Sequence, residues 1–249
     1  MKTEIDRGVN FDDSGVNFIA RRGLGGYSGR MTKVIAPEPV TPSATERGWR
    51  GSADLWLDAA YEALLEGGVA AVKLGPLAAK LGLSRTSFYW HFTDREALLA
   101  ALIARWQGRN TGNLIARTQS YAETIAEAVL NVFDCWVTPE LFDARMEFAM
   151  RSWGQSAPEV AAALAEADVA RLAALLAMFM RFGYGEAQAD IRARTIYLTQ
   201  IGYISMRAEE PLALRLQRIP TYVEAFTGVA ATKAEVARFV ARHVGRVAC

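Results

Sequence analysis

From Ser52 onward the apolar residues recur with helical spacing. Trp56, Ala59, Ala60, Ala63 and Leu64 stand at i, i+3, i+4, i+7 and i+8, which predicts a first helix over about 53–66. Asp54, Asp58, Glu62 and Glu66 fall on its other face, read as a solvated one, and Gly67-Gly68 ends it. Pro76 suits the first turn of a short helix, 75–81, and Gly82 can take the left-handed conformation that stops it. Ser84 caps a third helix, 85–92. Thr93-Asp94-Arg95-Glu96 reads as a capping box opening a fourth, which carries Ala97, Leu98, Ala101 and Leu102. Longer helices are expected near 119–137, 140–153, 158–182 and 186–208, and shorter ones near 212–226 and 233–246, with Pro139, Pro158 and Pro211 at the starts of three. No stretch alternates with period two, and no repeat of 20 to 50 residues is visible, so the fold is expected to be all-α.

The periodicity also divides the chain. Residues 1–51 hold eight of the twenty glycines and the clustered Pro37, Pro39 and Pro42, with no sustained apolar period, and read as a flexible tail. Gly23-Leu24-Gly25-Gly26-Tyr27-Ser28 inside it approximates a dinucleotide loop, but Ser28 replaces the third glycine and no βαβ pattern surrounds it. The expected domains are that tail, a helix-turn-helix unit over 52–100, and a larger helical unit over 101–249.

Composition narrows the class. The chain has 249 residues, 51% apolar and 22% charged, with a net charge of only +1, so it is neither disordered throughout nor strongly polyionic. A four-ligand zinc site would need Cys135, Cys249, His91 and His243 all to converge, and no metal or other cofactor is expected. Sparse cysteine suits a reducing compartment. The first thirty residues carry charges throughout and lack an apolar core segment. The longest apolar run, Leu172 to Met180, is bounded by Arg171 and Arg181 and is far too short to span a bilayer. A cytoplasmic protein with no membrane partner is expected.

Charge segregation changes the picture that the total gives. Residues 51–72 hold four carboxylates and no basic side chain. Residues 73–109 hold Lys73, Lys80, Arg85, Arg95, Arg105 and Arg109 against Asp94 and Glu96, a local +4. Two short helices joined through Gly82-Leu83-Ser84 give helix-turn-helix geometry, with Leu77, Ala78 and Leu81 inward on the first. On the second, Phe88 and Phe92 can face the core. Arg85, Thr86, Ser87, Tyr89, Trp90 and His91 are then left largely on the outer surface and its edges. Such a surface suits double-stranded DNA: arginine reads guanine edges, serine and threonine bond bases or phosphates, and tyrosine and histidine donate to phosphate oxygens. Lys73 and Arg95, near helix N-termini, add to the phosphate-binding set.

The run Leu77-Ala78-Ala79-Lys80-Leu81-Gly82-Leu83-Ser84-Arg85-Thr86-Ser87-Phe88-Tyr89-Trp90-His91-Phe92-Thr93-Asp94-Arg95-Glu96-Ala97-Leu98-Leu99 resembles the DNA-binding signature of the TetR family of bacterial repressors. The resemblance covers about 52–100, including Asp58-Ala59-Ala60, and beyond residue 105 is one of architecture only. It implies an all-α homodimer whose C-terminal helices form a ligand pocket and a dimer interface, with ligand binding weakening operator affinity. It places base contacts on Arg85, Thr86 and Ser87, and phosphate contacts on Lys73, Tyr89, Trp90, His91 and Arg95. The long glycine-rich tail departs from the family's short N-terminal arm and leaves a minor-groove role for Arg47 and Arg50 unsupported.

The resemblance also directs attention to Trp106, Tyr121, Trp136, Phe142, Met146, Met150, Trp153 and Phe179. These large or adaptable side chains lie in helices expected to enclose an apolar effector pocket, with Arg145, Glu147 and Tyr121 as polar anchors. The effector expected is a small hydrophobic or aromatic molecule with at most one charged end. Helices 158–182 and 186–208 are the expected dimer interface. The second carries apolar residues on more than one face: Ile191, Leu198, Ile201 and Gly202 beside Ile196, Tyr197, Tyr203 and Ile204. The leading reading is a ligand-responsive repressor. An activator or ligand-independent regulator of the same fold, and a helical interaction module without DNA, are the alternatives. An enzyme is not expected, because no HExxH, GxSxG or phosphate loop is present and His91 lies in the DNA-reading helix.

Overall fold

The computed structural model describes residues 51–243, and among them all regular structure is helical. The predicted tail, with Arg47 and Arg50, and residues 244–249 lie outside the described residues. Helix α1 (Ala53–Gly67) starts where the Ser52 hydroxyl accepts the Leu55 amide at 3.1 Å, and ends at Gly68, whose φ is +68°. It buries Trp56, Leu57, Ala59, Ala60 and Leu64, the stripe that its spacing predicts. Its acidic face is solvated and also paired: Asp58 and Asp54 receive Arg105 at 2.5 and 3.6 Å, tying α1 to α4 (Arg95–Trp106).

A tight helical turn, Val69–Ala71, leads into α2 (Leu74–Leu81). Gly82 closes α2 with φ +64°, and Leu83 bonds back to Ala78. Helix α3 (Arg85–Phe88) is shorter than predicted. After one α-turn the chain tightens, with the Trp90 and His91 amides bonding to the Ser87 and Phe88 carbonyls. Helix α4 is capped by Asp94, whose carboxylate accepts the Ala97 amide at 2.7 Å. This corrects the expected Thr93 capping box: an Asp one residue later takes the cap, and Glu96 turns to Arg95 instead.

Helix α4 does not stop at Trp106. Gln107–Gly112 forms a wide π-type turn that passes directly into α5 (Asn113–Gln119), a helix the sequence reading missed. The turn is held from outside. The Asn110 amide donates to the Asp143 carbonyl at 3.0 Å, while its oxygen accepts the Asp143 amide at 2.9 Å. Helix α6 (Ile125–Val137) begins after a break at Ser120, with Thr124 as its cap, rather than at 119 as predicted. The remaining helices are α7 (Ala144–Gly154), α8 (Pro158–Arg181), α9 (Glu186–Ser205), α10 (Leu212–Thr227) and α11 (Lys233–Ala241). Helix α10 runs through Pro220, which has no amide hydrogen to donate. Leu216, Ile219, Val223 and Phe226, all buried, hold that helix in place.

Two apolar cores result. One fills the helix-turn-helix unit and draws on α7 and the start of α8 through Met146, Met150, Trp153, Val160 and Leu164. The other surrounds α6, of whose thirteen residues twelve are buried. The reading unit therefore shares its core with the downstream helices, which gives those helices mechanical purchase on it.

Candidate nucleic-acid interface

The aromatic residues of the reading segment divide between the two sides of α3. Phe88 is buried edge-on against Trp56, with ring centres 5.3 Å apart, and stacks on Phe92. With that side anchored, Tyr89 and Trp90 stand outward, 60% and 63% exposed. Such exposure is unusual for large aromatic side chains. Arg85, Thr86 and Lys73 are also exposed. The Arg85 guanidinium lies over Gly75 in the first turn of α2, so close that a side-chain carbon at 75 would stand 2.9 Å from it. His91 is half-buried, and its Nε2 has no hydrogen-bond partner among the described residues.

Two members of the expected set have other work. Ser87 is corrected from a base contact to a structural residue: it is buried, and its hydroxyl donates to the Ser84 carbonyl at 2.7 Å. Arg95, expected on phosphate, instead donates through Nε to the Val72 carbonyl at 2.6 Å and through an Nη to the Val69 carbonyl at 2.8 Å. It pins the turn after α1 to the start of α4. Of the expected set, Lys73, Arg85, Thr86, Tyr89 and Trp90 are therefore the exposed members, with the half-buried His91 at their edge.

The expected effector residues do not converge. Among the described residues the downstream helices line several cavities, among them a shallow one of about 530 Å³ along α10 (Leu214, Gln217, Thr221, Ala225), and two bear on the expected effector site. One, of about 30 Å³, is lined by Trp136 with Phe133, Tyr203, Tyr222 and Phe226, and is sized for a water rather than an aromatic ligand. The other, of about 600 Å³, lies between the end of α1, the following turn, α7, α9 and α10, and is within the usual range for small-molecule sites. Trp153 and Arg145 line it. Trp106, Tyr121, Phe142, Met146, Met150 and Phe179 line neither cavity. Met146, Met150 and Trp106 are core of the reading unit and Phe142 and Phe179 of the second core, because their stripes face neighbouring helices. Tyr121 is 82% exposed, in the break between α5 and α6.

At the junction of the two cores lies a buried ionic network absent from the sequence reading. Glu147, expected as a ligand anchor, is fully buried and accepts from Trp106 Nε1 at 2.7 Å, Asn110 at 3.0 Å, Arg151 and Arg171. Arg171 is equally buried, 2.8 Å from Glu147, and also donates to the Tyr197 hydroxyl, which donates to Asp168 at 2.6 Å. Burial would raise the Glu147 pKa, but Arg171, Arg151 and Asn110 outweigh it and hold the carboxyl below its ordinary range. The network joins α4 and its wide turn to α7, α8 and α9.

A small helix, a three-residue turn and a second short helix with an exposed basic and aromatic surface, set on a larger helical body, define a helix-turn-helix transcriptional regulator of the all-α class. Residues 57–102 match the family of bacterial regulatory proteins known as the tetR family. Residues 57–102 thus form a TetR-type DNA-binding domain, and the helical fold as a whole is shared with solved regulators. The chain is similar to Salmonella enterica GusR at 17% identity, covering 71% of this chain and 95% of that one with a TM-score of 0.54. The fatty acid degradation regulator FadR from Bacillus halodurans gives 16%, 71%, 94% and 0.54 in the same order. A TetR-family transcriptional regulator from Mesorhizobium loti gives 15%, 80%, 98% and 0.50. At these identities the likeness is one of fold. No curated protein matches the chain significantly.

Proposed function

We propose that the protein is a ligand-responsive transcriptional repressor that binds an inverted-repeat DNA operator as a homodimer and is released by a small hydrophobic or aromatic effector. It works in the cytoplasm as a regulator rather than an enzyme. The observation that carries the reading is the exposed Arg85, Thr86, Tyr89 and Trp90 surface on α3 and the turn after it, opposite a buried Phe88. Arg85 supplies base discrimination, and Lys73, Tyr89, Trp90 and His91 supply phosphate contacts. The dimer forms through α8 and α9. Val169 is 68% exposed on α8, and Ile191 and Leu198, seven residues apart on α9, are 63% and 59% exposed. Among the described residues no helix is long and apolar enough to cross a membrane, so these faces have no bilayer-spanning role.

The test is a gel shift of the full chain against the DNA upstream of its own gene, at several salt concentrations, with light scattering alongside. A retarded, salt-sensitive band from a dimer supports the reading. Absence of any sequence-preferring band would replace it with a helical interaction module, and a monomer at micromolar concentration would remove the symmetric operator.

A further inference from the structure

We propose that the 600 Å³ cavity binds an amphipathic organic anion, a single carboxylate-type head on an apolar body, and that this occupancy bears directly on the start of α4. The second half rests on the regulator reading above; the first does not.

The lining has two characters. Leu64, Val69, Phe148, Trp153 and Ile204 offer an apolar wall. Against it stand three guanidinium groups, Arg145, Arg207 and Arg215, and one carboxylate, Glu209. Among the described residues neither the Arg145 nor the Arg215 guanidinium makes a close ion pair or side-chain hydrogen bond, although Arg145 acts electrostatically on Tyr61 and Arg215 on Glu210. Glu210, the acid nearest in sequence on the approach to α10, is taken by Arg218. Arg215 is half-buried, and burial pushes its pKa down while Glu210, Tyr203 and Tyr222 act in the opposite direction. Arg207 follows the end of α9 with φ +51°, the one non-glycine residue at positive φ among those described, and its guanidinium lies 5.2 Å from the centre of the Phe148 ring. A left-handed turn that glycine adopts without strain here holds an arginine, whose side chain lines the cavity. Excess positive charge over an apolar wall is complementary to an anionic amphiphile, and opposed to neutral or cationic ones.

The cavity also touches the reading unit. Gly67, Gly68, Val69 and Ala70 line it, and the Val69 carbonyl is one of the two that hold Arg95 at the first position of α4. A ligand against this turn acts on the bond that ties the start of α4 to the turn after α1. Because the free energy of coupling is reciprocal, operator binding would weaken the ligand by the same factor.

The test uses the full chain with dodecanoate, dodecanol and dodecyltrimethylammonium, each below its micellar concentration, followed by calorimetry and thermal shift without DNA. Dodecanoate is expected to bind and raise the Tm, with the other two about tenfold weaker or absent, and Arg215→Met and Arg145→Met are each expected to weaken dodecanoate about tenfold while leaving dodecanol unchanged. Ser152→Trp, which fills the cavity from α7, should abolish binding in a protein whose circular dichroism is unaltered. No dodecanoate binding, equal binding of the three amphiphiles, or binding indifferent to both arginine variants would overturn the site. Operator release is then measured separately. Arginine-dependent dodecanoate binding with no effect on DNA would keep the anion site and remove its link to α4, whereas release of DNA by neutral compounds alone would keep the regulator and refute the anion.

Discussion

Replacing Glu147 with glutamine tests whether the buried network is an electrostatic keystone or a packing detail. The carboxylate has no exposure to water, and it accepts from Trp106, Asn110, Arg151 and Arg171 together. Glutamine keeps the volume but removes the charge, and its amide nitrogen must face a donor. Arg171, itself fully buried, would keep the Tyr197 and Thr111 oxygens and only a 4.0 Å approach to Asp168. Removing one partner of such a pair costs about 3–5 kcal/mol, because the other charge stays buried without compensation. At about 2–4 °C per kcal/mol for a chain of this size, the Tm should fall by roughly 6 to 20 °C.

The measurement is equilibrium denaturation at neutral pH, with Glu147→Met, Arg171→Met and the double variant completing a cycle. The double variant should be less destabilised than the sum of the singles, because it leaves no orphaned ion. A Glu147→Gln protein within about 1 kcal/mol of wild type, or an additive cycle, would refute the reasoning. The pH dependence follows from the sign of the shift. The folded carboxyl titrates below its unfolded value of 4.5, so the unfolded chain takes up the proton first. This contribution is fully present above that value and is lost as the pH falls through the lower, folded pKa. Glu147→Gln should therefore show a flatter acid limb than wild type.

The remaining expectations are smaller experiments. Arg85→Ala should lower operator affinity by roughly 1–3 kcal/mol and relax preference at one base pair, whereas Arg95→Ala, losing two charge-assisted bonds to Val72 and Val69, should destabilise folding by about 2 kcal/mol; denaturation of both variants beside the gel shift separates them, and an Arg95→Ala protein of wild-type stability counts against the structural role. Gly202→Arg places a charge on the α9 face where nothing lies within 4 Å of an added side-chain carbon, so light scattering should find a folded monomer; a dimer would move the interface elsewhere. Burial pushes the Cys135 thiol up to about 12, so a thiol reagent at pH 8 should label it only on unfolding, and rapid labelling of the native protein would contradict the packed α6.

What the sequence disclosed follows from where the information resides. Helix α1, Gly82 and the buried Phe88 are local: spacing and backbone permissiveness specify them, and the structure has them where the pattern puts them. The wide turn at Gln107–Gly112 was invisible because two glycines, an asparagine and a threonine carry no helical preference, and their conformation is imposed by Asp143 and Glu147, more than thirty residues away. Ser87 and Arg95 were misread for a related reason: hydroxyl and guanidinium groups beside a reading helix look like DNA ligands until the carbonyls they serve are in place.

Arg171 shows the limit most plainly. At the edge of the Leu172 to Met180 run it resembles a solvated charge closing an apolar stretch, and no rule of spacing distinguishes that from a fully buried ion. Its partners come from α7 and α9, and α7 packs on α1. Trp106 at the end of α4 bonds the same carboxylate. One ionic site thus binds the α4 that Arg95 fixes at its other end, so α4 is held at the reading unit by Val69 and Val72 and at the body by Glu147. A rod fixed at both ends transmits displacement rather than absorbing it. This is the physical reason for expecting a ligand beside Val69 to be felt at α3, and for expecting Glu147→Gln to blunt any such coupling at constant ligand affinity.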